Sequence, residues 1–173
     1  MDTSYIVTFI GNDRPGLVEE LSQIIERHSG NWHESRLSQL GGKFAGLILI
    51  SLPQEQIASL EAALEVLSER GLNVQVSSSG DALPPSPGRD ITLTVLGPDR
   101  PGIVREISQA LAQRQINVQE MESAVNRAPM SAEAIFSANI SVRVPQDSDL
   151  DDLSERLEDI ANQMTLEIEL EPS

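Results

Sequence analysis

Apolar and polar residues alternate along this chain with two periods, and the periods come in the same order twice. Tyr5, Val7 and Phe9 interleave with Ile6, Thr8 and Ile10, and Ile91, Leu93 and Val95 interleave with Thr92 and Thr94. Period two predicts a strand at each place. Leu17, Leu21, Ile24, Ile25 and His28 then recur at helical spacing, as do Ile103, Ile107, Ala110 and Leu111. Pro15 and Pro101 are expected to be the first residue of each helix, where a missing N–H costs nothing. Residues 31–40 lead to Gly41-Gly42 and an apolar run from Phe44 to Leu52, which reads as a hairpin. Pro53 opens a second helical pattern with Ile57, Leu60, Leu64 and Leu67 on one face. Gly71 ends it, and Leu72, Val74 and Val76 begin a last strand.

The second half repeats this plan. Gly11-Asn12-Asp13-Arg14-Pro15-Gly16 returns 86 positions later as Gly97-Pro98-Asp99-Arg100-Pro101-Gly102. From Gly11 to Glu34, 11 of 24 positions are identical, where chance would give about one or two. Pro53-Gln54 matches Pro145-Gln146, so the offset has grown to 92 and six residues have entered the hairpin around Asn126–Ser131. A helix with Leu150, Leu153, Leu157 and Ile160 follows, then a strand at Leu166, Ile168 and Leu170.

The fold class this predicts is α+β: two ferredoxin-like βαββαβ modules, each an antiparallel sheet with both helices on one face. The expected boundaries are 1–78 and 90–173, joined by a Pro/Gly/Ser-rich linker at 79–89. Such a linker spans roughly 30 Å if semi-extended. Exposed sheet edges and an uncovered face lead us to expect the two modules to pair side by side.

Composition narrows the function. With 3% aromatic residues the cores must be built from Leu, Ile, Val and Ala. The net charge is −15, and neither half is basic: residues 1–80 hold 10 acids and 5 bases, residues 81–173 hold 17 and 7. Nucleic-acid binding draws most of its affinity from Lys and Arg on phosphates, so no direct nucleic-acid partner is expected. An anionic membrane is disfavoured on the same ground. The chain has no cysteine, which excludes disulfides, thiolate metal sites and a cysteine nucleophile. Neither a secretory leader pattern nor a run of about 20 apolar residues is present, so a cytoplasmic protein is expected.

Catalytic chemistry finds little support. Gly11 to Gly16 fits the glycine spacing of a P-loop, but Leu17-Val18 and Ile103-Val104 stand where Lys and Ser or Thr are needed. His28 and His33 are replaced by Arg114 and Gln119 in the second copy, and His28 reads as a partly buried core residue. Asp147, Asp149, Asp151 and Asp152 lack the glycine and terminal glutamate of a calcium loop, and favour instead the start of the helix they precede. We therefore expect no enzyme, no catalytic residues, no metal and no cofactor.

The strand–helix turn is the candidate site. A helix start leaves backbone N–H groups unpaired, and with the helix dipole they suit a carboxylate. Gly16, Leu17 and Val18 would supply the donors. Asp13 could cap the helix or receive an ammonium group, and Asn31 offers an amide. Gly102, Ile103, Asp99 and Asn117 repeat these roles. Asp-Arg-Pro-Gly is also good turn and helix-start chemistry in its own right.

Strand, Asp-Arg-Pro-Gly turn, helix and Asn-initiated strand, ordered βαββαβ in both copies, resemble the ACT domain, an amino-acid-binding regulatory module. The stand-alone tandem pair, with Ala128-Pro129-Met130-Ser131 before Phe136 and Val144-Pro145, is similar to the tandem-ACT repressors of the glycine cleavage system. It departs from their small-residue motif at Ala132, where glycine is common. The resemblance implies ligand binding between paired modules near the first turn. Carried over, that points to Gly11, Asn12, Asp13, Gly16, Leu17 and Asn31, and to Gly97, Pro98, Asp99, Gly102, Ile103 and Asn117. It also implies a negative regulator of glycine cleavage gene expression that responds to a small, glycine-like amino acid and acts through a DNA-binding activator. Self-association into a homo-oligomer is compatible with it. Two other assignments fit the same residues: a regulatory subunit that controls a metabolic enzyme, and an interaction module without a ligand.

Overall fold

The computed structural model describes residues 1–80 and 87–173, which fall into two compact units, Met1–Leu83 and Pro84–Ser173. The first runs β1 (Asp2–Asn12), α1 (Leu17–Arg27), β2 (Asn31–Leu40), β3 (Lys43–Pro53), α2 (Ile57–Val66) and β4 (Asn73–Ser78). Single 3₁₀ turns flank α2 at Gln54–Gln56 and Leu67–Arg70. The second runs β5 (Gly88–Pro98), α3 (Ile103–Gln113), β6 (Asn117–Arg127), β7 (Ala134–Pro145), α4 (Leu150–Met164) and β8 (Glu167–Pro172). The sheets are antiparallel, with strand orders β2-β3-β1-β4 and β6-β7-β5-β8. These are two ferredoxin-like modules, as the repeated pattern predicts.

Each core forms where the two periods meet. Tyr5, Val7 and Phe9 of β1 face the helices beside Ile48, Ile50 and Leu52 of β3, and Leu17, Leu21 and Ile25 of α1 close over them with Leu60 and Leu64 of α2. In the second unit Ile91, Leu93 and Val95 meet Ile140 and Val142 under Ile103, Ile107, Leu111, Leu153 and Leu157. Among the described residues no polar side chain is buried in either core. His28 sits at the end of α1, half-buried, its Nδ1 2.7 Å from the Ile24 carbonyl.

Three boundaries differ from the sequence reading. Pro53 does not open a helix: its backbone is extended (ψ 135°) and pairs with Asp2, so α2 starts only at Ile57. The linker expected at 79–89 lies largely on residues 81–86, outside the described residues. Gly88 and Arg89 are already strand, because β7 is long enough to pair with them through Pro145 and Val144. Finally, of the six extra hairpin residues, four lengthen the loop at 128–133 and one lengthens each strand.

Gly11 and Gly97 are set by packing. A Cβ on Gly11 would lie 2.8 Å from Leu72 Cδ1 and 3.1 Å from the Gly71 carbonyl oxygen. One on Gly97 would lie 2.7 Å from Leu166 Cδ2 and 2.8 Å from the Thr165 oxygen. Each central strand thus passes hard against the turn that leads into the last strand. Because backbone cannot yield as a side chain does, Gly97→Ala should destabilise the second unit by roughly 1–3 kcal/mol. Calorimetry should register this as a lower melting temperature for that unit.

The first unit also carries an ionic tie. Glu20 of α1 accepts hydrogen bonds from Arg14 and, at 2.9 Å, from Arg70 at the end of the second helical segment. The Arg14 hydrogen bond, helped by the charges of both arginines, holds the Glu20 carboxyl below its ordinary value of 4.5 against a smaller opposing effect of burial. A depressed folded-state pKa stabilises above the unfolded value, and the contribution is lost as pH falls through the folded one. At neutral pH Glu20→Gln should therefore cost about 0.5–1 kcal/mol, the scale of a solvent-screened pair. Denaturation at decreasing pH should show wild type and variant converging once Glu20 is protonated.

Candidate functional site

The turns that join β1 to α1 and β5 to α3 expose helix N-termini that no side chain caps. Gly16 and Gly102, not the prolines, define these starts. Their φ angles of 84° and 96° are left-handed, and their carbonyls accept the Glu20 and Glu106 N–H groups at 2.9 Å. The helices begin at Leu17 and Ile103, so Pro15 and Pro101 lie just outside the first turn rather than at its first position. The chain must reverse from strand to helix within four residues, and only glycine adopts the required left-handed backbone without strain. Conformation is what requires it: a Cβ on Gly16 would meet nothing within 4 Å.

In this geometry the first-turn N–H groups, those of Leu17, Val18 and Glu19 and of Ile103, Val104 and Arg105, have no intrahelical acceptor. The side chains of Leu17 and Ile103 are buried at 3% and 2% exposure, so these residues can offer a ligand their backbone alone. α4 is built differently. The Asp149 carboxylate accepts from the Asp151 and Asp152 N–H groups at 2.9 and 3.3 Å. Within the acid cluster Asp149 is the helix cap, and two of the donors at that helix start are taken.

The acidic residues of the two turns do not cap. Asp13 receives Gln39 Nε2 at 2.6 Å, while its N–H donates to the Gly42 carbonyl at 3.2 Å. This fastens the turn to the β2–β3 hairpin. Asn12 accepts from Lys43, and the Asp99 N–H donates to the Ala134 carbonyl at 2.8 Å. Pro98 ends β5 opposite Ile135. Gln39 was not singled out from sequence, being 26 residues from the carboxylate it holds.

The asparagines stand elsewhere. Asn31 pairs with Ser51, which pairs with Ser4, whereas Gly11 pairs with Phe44. Asn117 pairs with Arg143 and so lies level with Asp90, seven positions before Gly97. Within one module the turn and the asparagine are therefore separated by about 24 Å along the strand. The structure gathers Gly11 to Leu17, and likewise Gly97 to Ile103, at one end of each sheet and sets Asn31 and Asn117 at the other. Asn117 lines a separate cavity of about 180 Å³ with Gln115, Gln119 and Arg143.

The two turns also differ in charge. Arg14 is held by Glu20. In the second unit Glu106 faces Arg156 of α4 at 3.7 Å, and Arg100 has no ion-pair partner among the described residues. Arg100 was missed from sequence because both turns carry the same Asp-Arg-Pro-Gly. The signal available was Arg156: with the core positions Leu60 and Leu64 matched to Leu153 and Leu157, the first copy has Ala63 in its place.

Comparison with known proteins places this architecture. Residues 3–77 and 91–162 each match the ACT domain. The glycine cleavage system transcriptional repressor of Escherichia coli (strain K12) is 24% identical over 146 residues, which cover 83% of this chain and 76% of that protein. A solved structure of an unknown protein from Galdieria sulphuraria superimposes with a TM-score of 0.86 at 29% identity, covering 100% of this chain and 99% of the other. Another, provisionally assigned as a glycine cleavage system transcriptional repressor, shares the fold with a TM-score of 0.70 at 23% identity over 99% and 97% of the two chains. The chain belongs to the ACT domain family and carries two ACT domains in tandem.

Proposed function

We propose that this protein is a non-catalytic, amino-acid-responsive regulator that lowers glycine cleavage gene expression by contacting a DNA-binding activator. The observation that carries the ligand half is the uncapped start of α3. Three backbone donors without an intrahelical acceptor stand there, and the turn that leads into them carries Arg100, a guanidinium with no partner among the described residues. A carboxylate satisfies both, and a small amino acid is the ligand class that fits a turn floored by glycine. The first module offers the same donors, but its arginine is already engaged by Glu20. We therefore assign the stronger carboxylate affinity to the second turn.

The regulatory half is supported by likeness to the Escherichia coli repressor and by charge. A chain at −15 has little to attract DNA. Contact with a protein that does bind DNA is the route its electrostatics favour. Among the described residues no helix is long and apolar enough to cross a membrane.

Ligand at 100 times its Kd stabilises a folded protein by about 2.7 kcal/mol. Millimolar glycine or serine should therefore raise the melting temperature by several degrees. Arg100→Ala should remove most of the rise and Arg14→Ala should leave it. A melting temperature indifferent to both amino acids sinks the ligand reading. Pull-down from the native cell, with and without glycine, should recover a DNA-binding protein in a glycine-dependent amount. Recovery of a metabolic enzyme instead would make the chain that enzyme's regulatory subunit.

A further inference from the structure

The last strand of the second unit is an edge of its own sheet, with a groove beside it. β8 pairs with β5 on one side only. The Ser173 N–H donates to the Asp90 carbonyl at 3.0 Å, continuing the register that sets Pro172 opposite Ile91. Antiparallel ladders alternate residue pairs that exchange hydrogen bonds with pairs that do not. Counting back from Ser173, Glu171, Glu169 and Glu167 bond to β5, so Ile168 and Leu170 turn their backbone N–H and C=O groups outward. The half-buried side chains of these two residues line a groove of about 370 Å³ between α4 and β8, with Leu157, Ala161 and Leu166.

The other face of the edge carries Glu167, Glu169 and Glu171 in one row, all exposed, and Glu158 stands on the helical rim of the groove. None of the four has an ion-pair partner among the described residues. Outward backbone groups above an apolar groove are the geometry of strand addition. The glutamates select what can add. Like charges placed opposite one another across strands repel, and opposite charges attract. A second copy of β8 is disfavoured, and an extended strand with Lys or Arg at alternate positions is favoured. The matching edge β4 carries Asn73, Gln75 and Ser77 on the corresponding face and makes no such selection.

We propose that the β8 edge docks an extended basic segment of a protein partner, in which Lys or Arg alternates with apolar residues, as a fifth strand of the second sheet. The basic side chains pair with the glutamate row and the apolar ones fill the groove against Ile168 and Leu170. This deepens the reading of the chain as a regulator that acts through a protein, and its test needs no knowledge of that protein.

The full chain is titrated with a labelled Lys-Val-Lys-Val-Lys-Val-Lys-Val peptide and with Lys-Lys-Lys-Lys-Val-Val-Val-Val of the same composition, by fluorescence anisotropy. The alternating peptide should bind at least tenfold tighter and should slow hydrogen exchange at the Ile168 and Leu170 amides. Two variants separate docking from misfolding. E167Q/E169Q/E171Q removes the selecting charges. Leu170→Pro removes an outward N–H, a change that edge strands accept. Each should weaken the alternating peptide at least tenfold with the circular dichroism of the chain unchanged. Equal affinity for the two peptides, undiminished binding in either variant, or no binding would overturn the proposal. If glycine still raises the melting temperature in that event, the docking site falls and the ligand reading stands.

Discussion

Each module depends on burying one sheet face beneath two helices, in a layer from which polar side chains are excluded among the described residues. Fully burying a Leu, Ile or Val is worth about 1.5–3 kcal/mol, so the rows that face the helices are committed to packing. Polar side chains are displaced to the turns, the outer faces of the helices, the sheet edges and the open face. The candidate site shows the consequence. Leu17 and Ile103 spend their side chains on the core, and what they hold out to solvent is peptide N–H. A site made of backbone depends on conformation, which is why the left-handed glycines matter more there than the identity of the following residue.

The same constraint lets the two copies diverge wherever the core does not reach. Their helix-facing rows are hydrophobic in both copies, while the contacts at the surface differ. Glu20 is clasped by Arg14 and Arg70, but Glu106 faces Arg156 instead. The hairpin loop of the second module is longer, and Met130 within it is 99% exposed. The last strand has an uncharged row in the first module and a glutamate row in the second. The two copies share one packing solution and differ in the surfaces that can contact other molecules.

The architecture was legible in the sequence because alternation and helical spacing are direct imprints of burial. Identical turns 86 residues apart made the repeat plain. What could not be read were contacts set by tertiary position. Pro-Gly at a helix start fits two registers, and the sharp reversal from β1 decides between them by demanding a left-handed Gly16. Asp13 has the composition of a cap, yet a hairpin residue 26 positions away captures it. That Asn31 and the turn of its own module lie at opposite ends of the sheet has a reason the pattern did contain. An antiparallel helix carries the chain back to the far end of the strand it follows, so a residue just after α1 must lie level with the start of β1.

On the reading of an amino-acid ligand, net charge chooses among amino acids. A chain at −15 repels anions at a distance, but at physiological ionic strength that field decays over about 8 Å. A free amino acid with an uncharged side chain is a neutral zwitterion and meets no long-range barrier, whereas aspartate or glutamate would arrive with a net negative charge. Once the zwitterion is within the screening length, local groups decide. The helix-start donors and Arg100 would act on the carboxylate, and the net negative charge of the chain favours the ammonium end. An acidic protein can thus hold a carboxylate at a backbone turn and still discriminate against acidic ligands.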